Sequence, residues 1–245
     1  MCGCLAIQQA FQGSLVNSAY LVGIAAIFDF FDGFAARALR VSSPIGKDLD
    51  SLADLVTFGV VPGIMLFQMI RVTSGTDLTT FLPSSWTPEG EGVNLLPYVA
   101  FLIPIFSAIR LAKFNNDTRQ SESFIGLPTP ANAIFISSFP LMDRFYIDLK
   151  GSAYEDQPIM FLFDPAFLAV LSCVLSILLI APIPLFALKF RFFGWRGNRI
   201  RYIFLGLSLG LLIGFQYLGI PLIIILYILM SLINNLIQRR NISSP

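Results

Sequence analysis

The chain contains no histidine, and charged residues make up only 13% of its 245 positions. Soluble domains usually carry about 25% charged residues, so this composition excludes an ordinary soluble protein. Because imidazole is missing, a general base in this chain has to be a carboxylate, an amine, a phenol or a thiol. The three cysteines have neither the number nor the spacing of a zinc site or a disulfide framework, so we interpret them as packing residues.

What the chain has in abundance is apolar sequence: 56% of its residues are hydrophobic, and the mean hydropathy is +0.75. Apolar runs of the roughly 17–25 residues that cross a bilayer recur along nearly the whole chain. Continuous runs are typical of helical spans, whereas alternation is typical of barrels. The sequence predicts an all-α, polytopic transmembrane helical bundle of about eight spans, at residues 1–12, 17–39, 47–70, 95–114, 129–147, 165–188, 201–217 and 219–238.

The first predicted span is shorter than the others. Twelve residues extend about 18 Å at 1.5 Å per residue, against a hydrocarbon core of about 30 Å. We expect either a partial insertion or a chain that lacks its natural N-terminus, and we favour the second. We interpret residues 1–245 as a single integral-membrane domain, with a catalytic core over 14–147 and additional C-terminal spans over 160–245.

Lysine and arginine are distributed unevenly between the two ends of the predicted bundle. Thirteen fall at one end, and the other end keeps three, namely Arg71, Arg144 and Lys150. Such an asymmetry places the basic end in the cytoplasm. We therefore expect the loop between the second and third spans, and the C-terminus, to face the cytoplasm of a bacterial-type cytoplasmic membrane.

Four aspartates lie in the second and third predicted spans, within the stretch DFFDGFAARALRVSSPIGKDLDSLAD at 29–54. At 100° per residue, Asp32 lies about 60° from Asp29, so the two share one face of a helix. Asp50 and Asp54 are one turn apart on the next helix. Because the connection is short, the two helices should pack as antiparallel neighbours, and the four carboxylates should meet in one polar pocket at the cytoplasmic boundary.

The negative charge of four clustered carboxylates has to be neutralised. Each charged aspartate at the centre of a span costs about 2.5–3.5 kcal/mol, and neighbouring carboxylates repel one another. Divalent cations resolve this charge; oxygen ligands favour Mg²⁺ or Mn²⁺, and two such ions suit transfer of a phosphate group. Two other interpretations stay open: aspartates that cap helices or pair with basic residues, and an ion or proton pathway in a cation transporter.

The stretch 29–54 resembles the D-x-x-D-G-x-x-A-R-x8-G-x3-D-x3-D signature of the CDP-alcohol phosphatidyltransferases. It matches every fixed position of that signature: Asp29, Asp32, Gly33, Ala36, Arg37, Gly46, Asp50 and Asp54. The segments IRLAKFN at 109–115 and FIGLPTPANA at 124–133 resemble the phosphatidylserine synthase branch. In that branch, CDP-diacylglycerol and L-serine give phosphatidylserine and CMP. The resemblance implies a dimeric bundle of transmembrane helices.

The resemblance also implies a role for each position. The ligands of two divalent metal ions would be Asp29, Asp32, Asp50 and Asp54. Asp54 would also be the general base that takes the proton of the serine hydroxyl. The residues that bind CDP-diacylglycerol would be Gly33, Arg37 and Ser43, whereas Ala36 and Gly46 would allow close packing.

The acceptor alcohol needs a cation for its carboxylate, and Arg110 lies at a suitable depth to provide it. The alternative is that Arg110 belongs to the general excess of basic residues at the cytoplasmic end. Two rival functions also stay open. One is a related CDP-alcohol phosphatidyltransferase that uses glycerol 3-phosphate or an inositol phosphate, and the other is a cation transporter.

Overall fold

The structure, a computed structural model, describes residues 1–39, 43–75, 94–116, 123–150, 158–186, 194 and 198–243. The α-helices in these ranges are α1 (Cys2–Phe11), α2 (Leu15–Leu39), α3 (Pro44–Asp54), α4 (Val61–Thr73), α5 (Leu102–Asn116), α6 (Thr129–Lys150), α7 (Pro165–Ile180), α8 (Arg199–Phe215) and α9 (Gly219–Ser243). A π-helical turn joins α3 to α4 at Leu55–Val60, and 3₁₀ turns occupy Leu96–Phe101, Pro158–Phe163 and Gln216–Leu218.

The mainly helical architecture is confirmed. Within the described ranges, four segments are long and apolar enough to cross a membrane: Leu15–Ala36, Pro44–Thr73, Leu96–Asn116 and Arg199–Leu236. The last of these contains both α8 and α9, whereas α1 and α7 are shorter apolar helices. These segments are those expected of an integral membrane protein, and the full count of eight spans stays a prediction.

A small sheet departs from the all-α prediction. Strand β1 (Ser123–Ile125) pairs antiparallel with β2 (Pro184–Phe186). The predicted span 165–188 was therefore too long, because α7 ends at Ile180. The physical reason is visible in the sequence: Pro182 and the proline that opens β2 have no N–H group to donate within a helix.

The sheet fixes the point at which α6 begins. Gly126 has a φ of +77°, and a Cβ atom there would lie 2.5 Å from the carbonyl oxygen of Leu179. The next residue, Leu127, donates its N–H to the carbonyl oxygen of Leu178 at 2.9 Å. The loop before α6 is thus held closely against the end of α7, and a side chain at position 126 would have to displace backbone.

Helix α4 forms the centre of the bundle, since each of its residues from Val61 to Arg71 is buried. The short helix α1 packs against α2, the π turn and α4. The Ser18 hydroxyl donates to the Ala6 carbonyl at 2.9 Å, and the Gln68 amide donates to the Ala10 carbonyl at 3.3 Å. In contrast, α2, α8 and α9 expose many large apolar side chains, which suits helices that face lipid.

Candidate functional site

The aspartates of the second and third predicted spans come together in the structure. Carboxylate oxygens of Asp29, Asp32 and Asp50 all lie within 4.8 Å of one another. Asp29 is partly buried, whereas Asp32 and Asp50 are exposed. Helical spacing predicted this convergence, because the C-terminal part of α2 and the helix α3 place one carboxylate pair against the other.

The fourth aspartate, Asp54, lies beside the other three. Asp54 is the last residue of α3, is partly buried, and interacts with the carboxyl group of Asp29. A cavity of about 300 Å³ adjoins all four aspartates, and its remaining lining residues are Met1, Cys2, Gly3, Ala25, Phe28, Ala53, Thr57 and Phe58. The site therefore combines a carboxylate cluster with a space large enough for a small polar ligand group.

A π-helical turn, Leu55–Val60, begins directly after Asp54. Such turns are rare; they occur mostly as single-turn insertions within α-helices and are frequent at functional sites. Here the turn separates the exposed, carboxylate-bearing helix α3 from the buried helix α4. The change of helical geometry thus lies at the boundary between the site and the core.

None of the residues of α3 is buried, so this helix is positioned by polar contacts rather than by an apolar core. The Ser43 hydroxyl accepts a hydrogen bond from the Gly46 N–H at 3.0 Å and so caps the helix. The Lys47 ammonium donates to the carbonyl oxygen of Asn115 at 2.8 Å, and the Asn115 amide donates to the Ser51 hydroxyl at 2.9 Å. These two contacts tie α3 to the end of α5.

Arg110 lies on α5 beside the carboxylate cluster and is only 8% exposed. Its guanidinium attracts the carboxylate of Asp54. Its Nη1 donates to the Thr129 hydroxyl at 3.5 Å, and its Cζ lies 5.9 Å from the centre of the Phe114 ring. The residue predicted to bind the acceptor is therefore placed next to the residue predicted to be the base.

The remaining predicted site residues differ in burial and in whether the structure describes their side chains. Gly33 is partly buried on α2, next to Asp32, and the side chain of Arg37 lies outside the described part of the structure. Ser43 acts as the helix cap, and its contact with substrate stays a prediction. Ala36 and Gly46 are exposed in the described chain, and their role in close packing stays a prediction. A Cβ at Gly46 would lie 2.9 Å from the Ser43 hydroxyl, so glycine leaves room for the cap.

The sequence did not point to a second set of buried polar side chains, Ser107 and Asn132. Ser107 on α5 and Asn132 on α6 are both 0% exposed. Their side-chain oxygens, and the amide nitrogen of Asn132, make no hydrogen bond within the described residues. The available signal was the amide of Asn132 near the start of α6, since polar groups inside a membrane are costly.

The cluster has the donor chemistry of a site for hard divalent cations. Four carboxylates offer oxygen ligands only, which Mg²⁺ and Mn²⁺ prefer over softer sites. Within the described part of the chain, the arginine that interacts with Asp54 is Arg110, and one positive charge cannot balance four negative charges. The residues present therefore fit one or two divalent ions, and no other ligand type is needed for that fit.

Comparison with known proteins supports the signature at 29–54. A sequence model of the CDP-alcohol phosphatidyltransferases matches residues 1–146, which is more than half of the chain. A CDP-diacylglycerol–serine O-phosphatidyltransferase from Helicobacter pylori strain J99 is 34% identical over 152 residues, which cover 61% of this chain and 56% of that protein. The enzyme of the same name from Bacillus subtilis is 28% identical over 187 residues, which cover 75% of this chain and 82% of that protein.

An archaeal relative carries a related name. Archaetidylserine synthase from Methanothermobacter thermautotrophicus is 34% identical over 152 residues, which cover 61% of this chain and 57% of that protein. The chain thus spans a little over half the length of the Helicobacter and Methanothermobacter relatives. All three names refer to transfer of a lipid-linked group to serine or to formation of a serine lipid.

Proposed function

The chain belongs to the CDP-alcohol phosphatidyltransferase family, and we propose that it transfers the phosphatidyl group of CDP-diacylglycerol to L-serine, with release of CMP. The observation that carries this proposal is the meeting of the four signature aspartates at one cavity. The names of the relatives favour serine as the acceptor. Among the described residues, Arg110 is the buried cation that interacts with Asp54, and a single cation suits an acceptor with one carboxylate better than one with a phosphate.

We propose that Asp29, Asp32, Asp50 and Asp54 hold two divalent ions, either Mg²⁺ or Mn²⁺. When bound, such ions would neutralise the diphosphate of CDP-diacylglycerol and stabilise the charge that develops on the leaving group. Gly33 leaves room for the nucleotide beside α2, and Arg37 and Ser43 contact the diphosphate and the nucleotide. The planar guanidinium of arginine is suited to phosphate oxygens.

The reaction is a direct displacement in this proposal. The Asp54 carboxylate accepts the proton of the serine hydroxyl. The serine oxygen then bonds to the phosphorus that carries diacylglycerol, while the bond from this phosphorus to the oxygen of CMP breaks. CMP leaves with the bonding electron pair, and phosphatidylserine remains in the membrane. Arg110 holds the serine carboxylate, which orients the hydroxyl toward Asp54.

The proposal includes an orientation and an assembly. The excess of basic residues at one end of the predicted bundle supports a position of the aspartate cluster at the cytoplasmic boundary, where both serine and CDP-diacylglycerol would be accessible. The family resemblance favours a homodimer. Protease accessibility of the loop between α2 and α3 in sealed vesicles, and the mass of the detergent-solubilised protein, test these two points.

An acceptor panel tests the proposed reaction. Purified protein receives CDP-diacylglycerol, Mg²⁺ or Mn²⁺, and one of serine, glycerol 3-phosphate, inositol phosphate or no alcohol, and CMP release is followed. We expect release with serine well above the level without alcohol. Release with a phosphorylated acceptor alone would assign a related transferase instead. No release with any acceptor, together with Mn²⁺ uptake by protein-containing vesicles, would support a cation transporter.

The contact between α3 and α5 should contribute to activity. We expect Asn115→Ala to lower the rate of CMP release about two- to tenfold, because the hydrogen bond to Ser51 that positions α3 is worth roughly 0.5–1.5 kcal/mol. The matched control is Asn116→Ala, since the Asn116 amide donates only to Ala112 of its own helix among the described residues. Equal rates for the two variants would show that this contact does not position the site.

A further inference from the structure

Arg110 contacts Thr129 near the start of α6, and Asn132 lies one helical turn after Thr129. Thr129 accepts the hydrogen bond from Arg110 Nη1 at 3.5 Å, and Asn132 lies three residues further along the same helix. Positions three apart share a helix face, and they differ in depth by about 4.5 Å. Asn132 therefore lies one turn deeper in the bundle than the level at which Arg110 reaches α6.

Ser107, a buried residue of α5, is the third polar residue of this region. It precedes Arg110 by three residues on α5, so the two also share a face. A Cβ at Gly59 of the π turn would lie 3.0 Å from the Cβ of Ser107, which shows how closely α5 packs against that turn. Arg110 thus contacts α6 one turn before Asn132 and shares a face of α5 with Ser107. We refer to these three residues, Arg110, Ser107 and Asn132, as the polar pocket.

The polar atoms of this pocket are not satisfied by the protein. Within the described part of the chain, Arg110 Nε, the Ser107 hydroxyl, and both amide atoms of Asn132 are buried without a hydrogen-bond partner. Buried polar groups nearly always have a partner, and each one without a partner is destabilising. These four atoms belong to three residues, one of which is the Arg110 that interacts with Asp54, and a bound polar ligand would supply the missing partners.

We propose that Asn132 is a specificity-determining residue that binds the ammonium group of the acceptor, an inference that rests on the proposed function. The Asn132 Oδ1 accepts a hydrogen bond from the ammonium, while Arg110 donates to the carboxylate. Both groups sit on one carbon of an α-amino acid, so a site with an anion-binding residue and an acceptor oxygen one turn apart matches them. All three side chains are buried, Arg110 at 8% exposure and Ser107 and Asn132 at 0%.

The choice of an amide at this position has an electrostatic reason. A carboxylate there would bind an ammonium group more strongly, but it would add a fifth negative charge close to Asp29, Asp32, Asp50 and Asp54. It would also pair with Arg110 and so compete with the carboxylate of the acceptor. A neutral amide binds the ammonium without either effect.

The test separates the ammonium from the carboxylate. Serine carries both groups, whereas 3-hydroxypropionate lacks the ammonium. It competes with serine, and because its hydroxyl can itself accept the phosphatidyl group, its inhibition constant is measured on phosphatidylserine formation rather than on CMP release. For Asn132→Leu, which keeps the side-chain volume, we expect KM for serine to rise about tenfold or more, since a hydrogen bond to a charged group is lost. KM for CDP-diacylglycerol and the inhibition constant of 3-hydroxypropionate should stay near the wild-type values.

A matched control is available on the same helix. Ser138 is buried on α6, and its hydroxyl donates to Phe135 of that helix at 2.6 Å, so Ser138→Ala should leave KM for serine unchanged. If Asn132→Leu does not fold, Asn132→Ala and Asn132→Ser replace it, with melting temperature as the folding readout. An unchanged KM for serine, or equal losses for serine and 3-hydroxypropionate, would overturn the pairing.

Failure of the inference can be told apart from failure of the proposed function. Wild-type protein that releases CMP with serine, alongside an Asn132 variant with unaltered KM, contradicts the pairing alone. Wild-type protein that releases no CMP with serine contradicts the proposed function, and the pairing with it.

Discussion

Asp54→Asn is expected to lower the rate of CMP release with serine by about 10²–10⁴-fold, the range that general bases contribute. The amide keeps the size of the side chain but cannot accept the proton of the serine hydroxyl. Asp54 is the aspartate that Arg110 attracts, and it ends α3 next to the π turn. Binding of CDP-diacylglycerol should be affected less than turnover, because three carboxylates remain in the cluster.

Helix α3 provides its own control for this substitution. Asp48 lies on the same helix, is exposed, and is not among the residues that line the cavity. Asp48→Asn makes the same chemical change outside the site, and it should retain the wild-type rate. Similar rates for Asp54→Asn and Asp48→Asn would remove Asp54 as the base.

Removal of divalent ions should abolish the reaction. We expect no CMP release in excess chelator, with recovery on addition of Mg²⁺ or Mn²⁺, because four carboxylates without counter-ions repel a diphosphate. Asp50→Asn should raise the ion concentration for half-maximal rate by at least about tenfold, since the loss of one charged ligand weakens binding of a hard cation.

The same control variant sharpens the metal experiment. Asp48→Asn should need the same ion concentration as the wild-type protein, because its carboxylate lies outside the cavity lining. Binding of Mn²⁺, followed by its electron paramagnetic resonance signal, should weaken in Asp50→Asn even before substrate is added. A full rate in excess chelator would contradict the assignment of the aspartates as metal ligands.

The carboxylate cluster was predictable because it depends on residue spacing within two helices that are adjacent in sequence. Asp29 with Asp32, and Asp50 with Asp54, each share a helix face at fixed spacing, and a short connection brings the two helices together. The mainly helical architecture followed from the apolar runs for the same reason. In both cases, the decisive contacts lie within one helix or between helices adjacent in sequence.

The features that escaped prediction depend on contacts between distant parts of the chain. Lys47 and Asn115 are 68 residues apart, and no periodicity relates them. The polar pocket combines Ser107 with Asn132, whose significance appears once α5 and α6 are packed. The small sheet likewise pairs residues about 60 positions apart. The end of α7 was different, because the prolines at 182 and 184 were a local signal that hydrophobicity outweighed.

The identity of the lipid product in water enriched in ¹⁸O tests the central claim most directly. Purified protein, CDP-diacylglycerol, serine and Mn²⁺ are incubated, and the lipids are analysed by mass spectrometry while CMP is quantified. Direct attack by the serine hydroxyl predicts phosphatidylserine without ¹⁸O, formed in a one-to-one ratio with CMP. Phosphatidic acid that carries ¹⁸O, with no phosphatidylserine, would show that water is the acceptor and would contradict the proposed transfer.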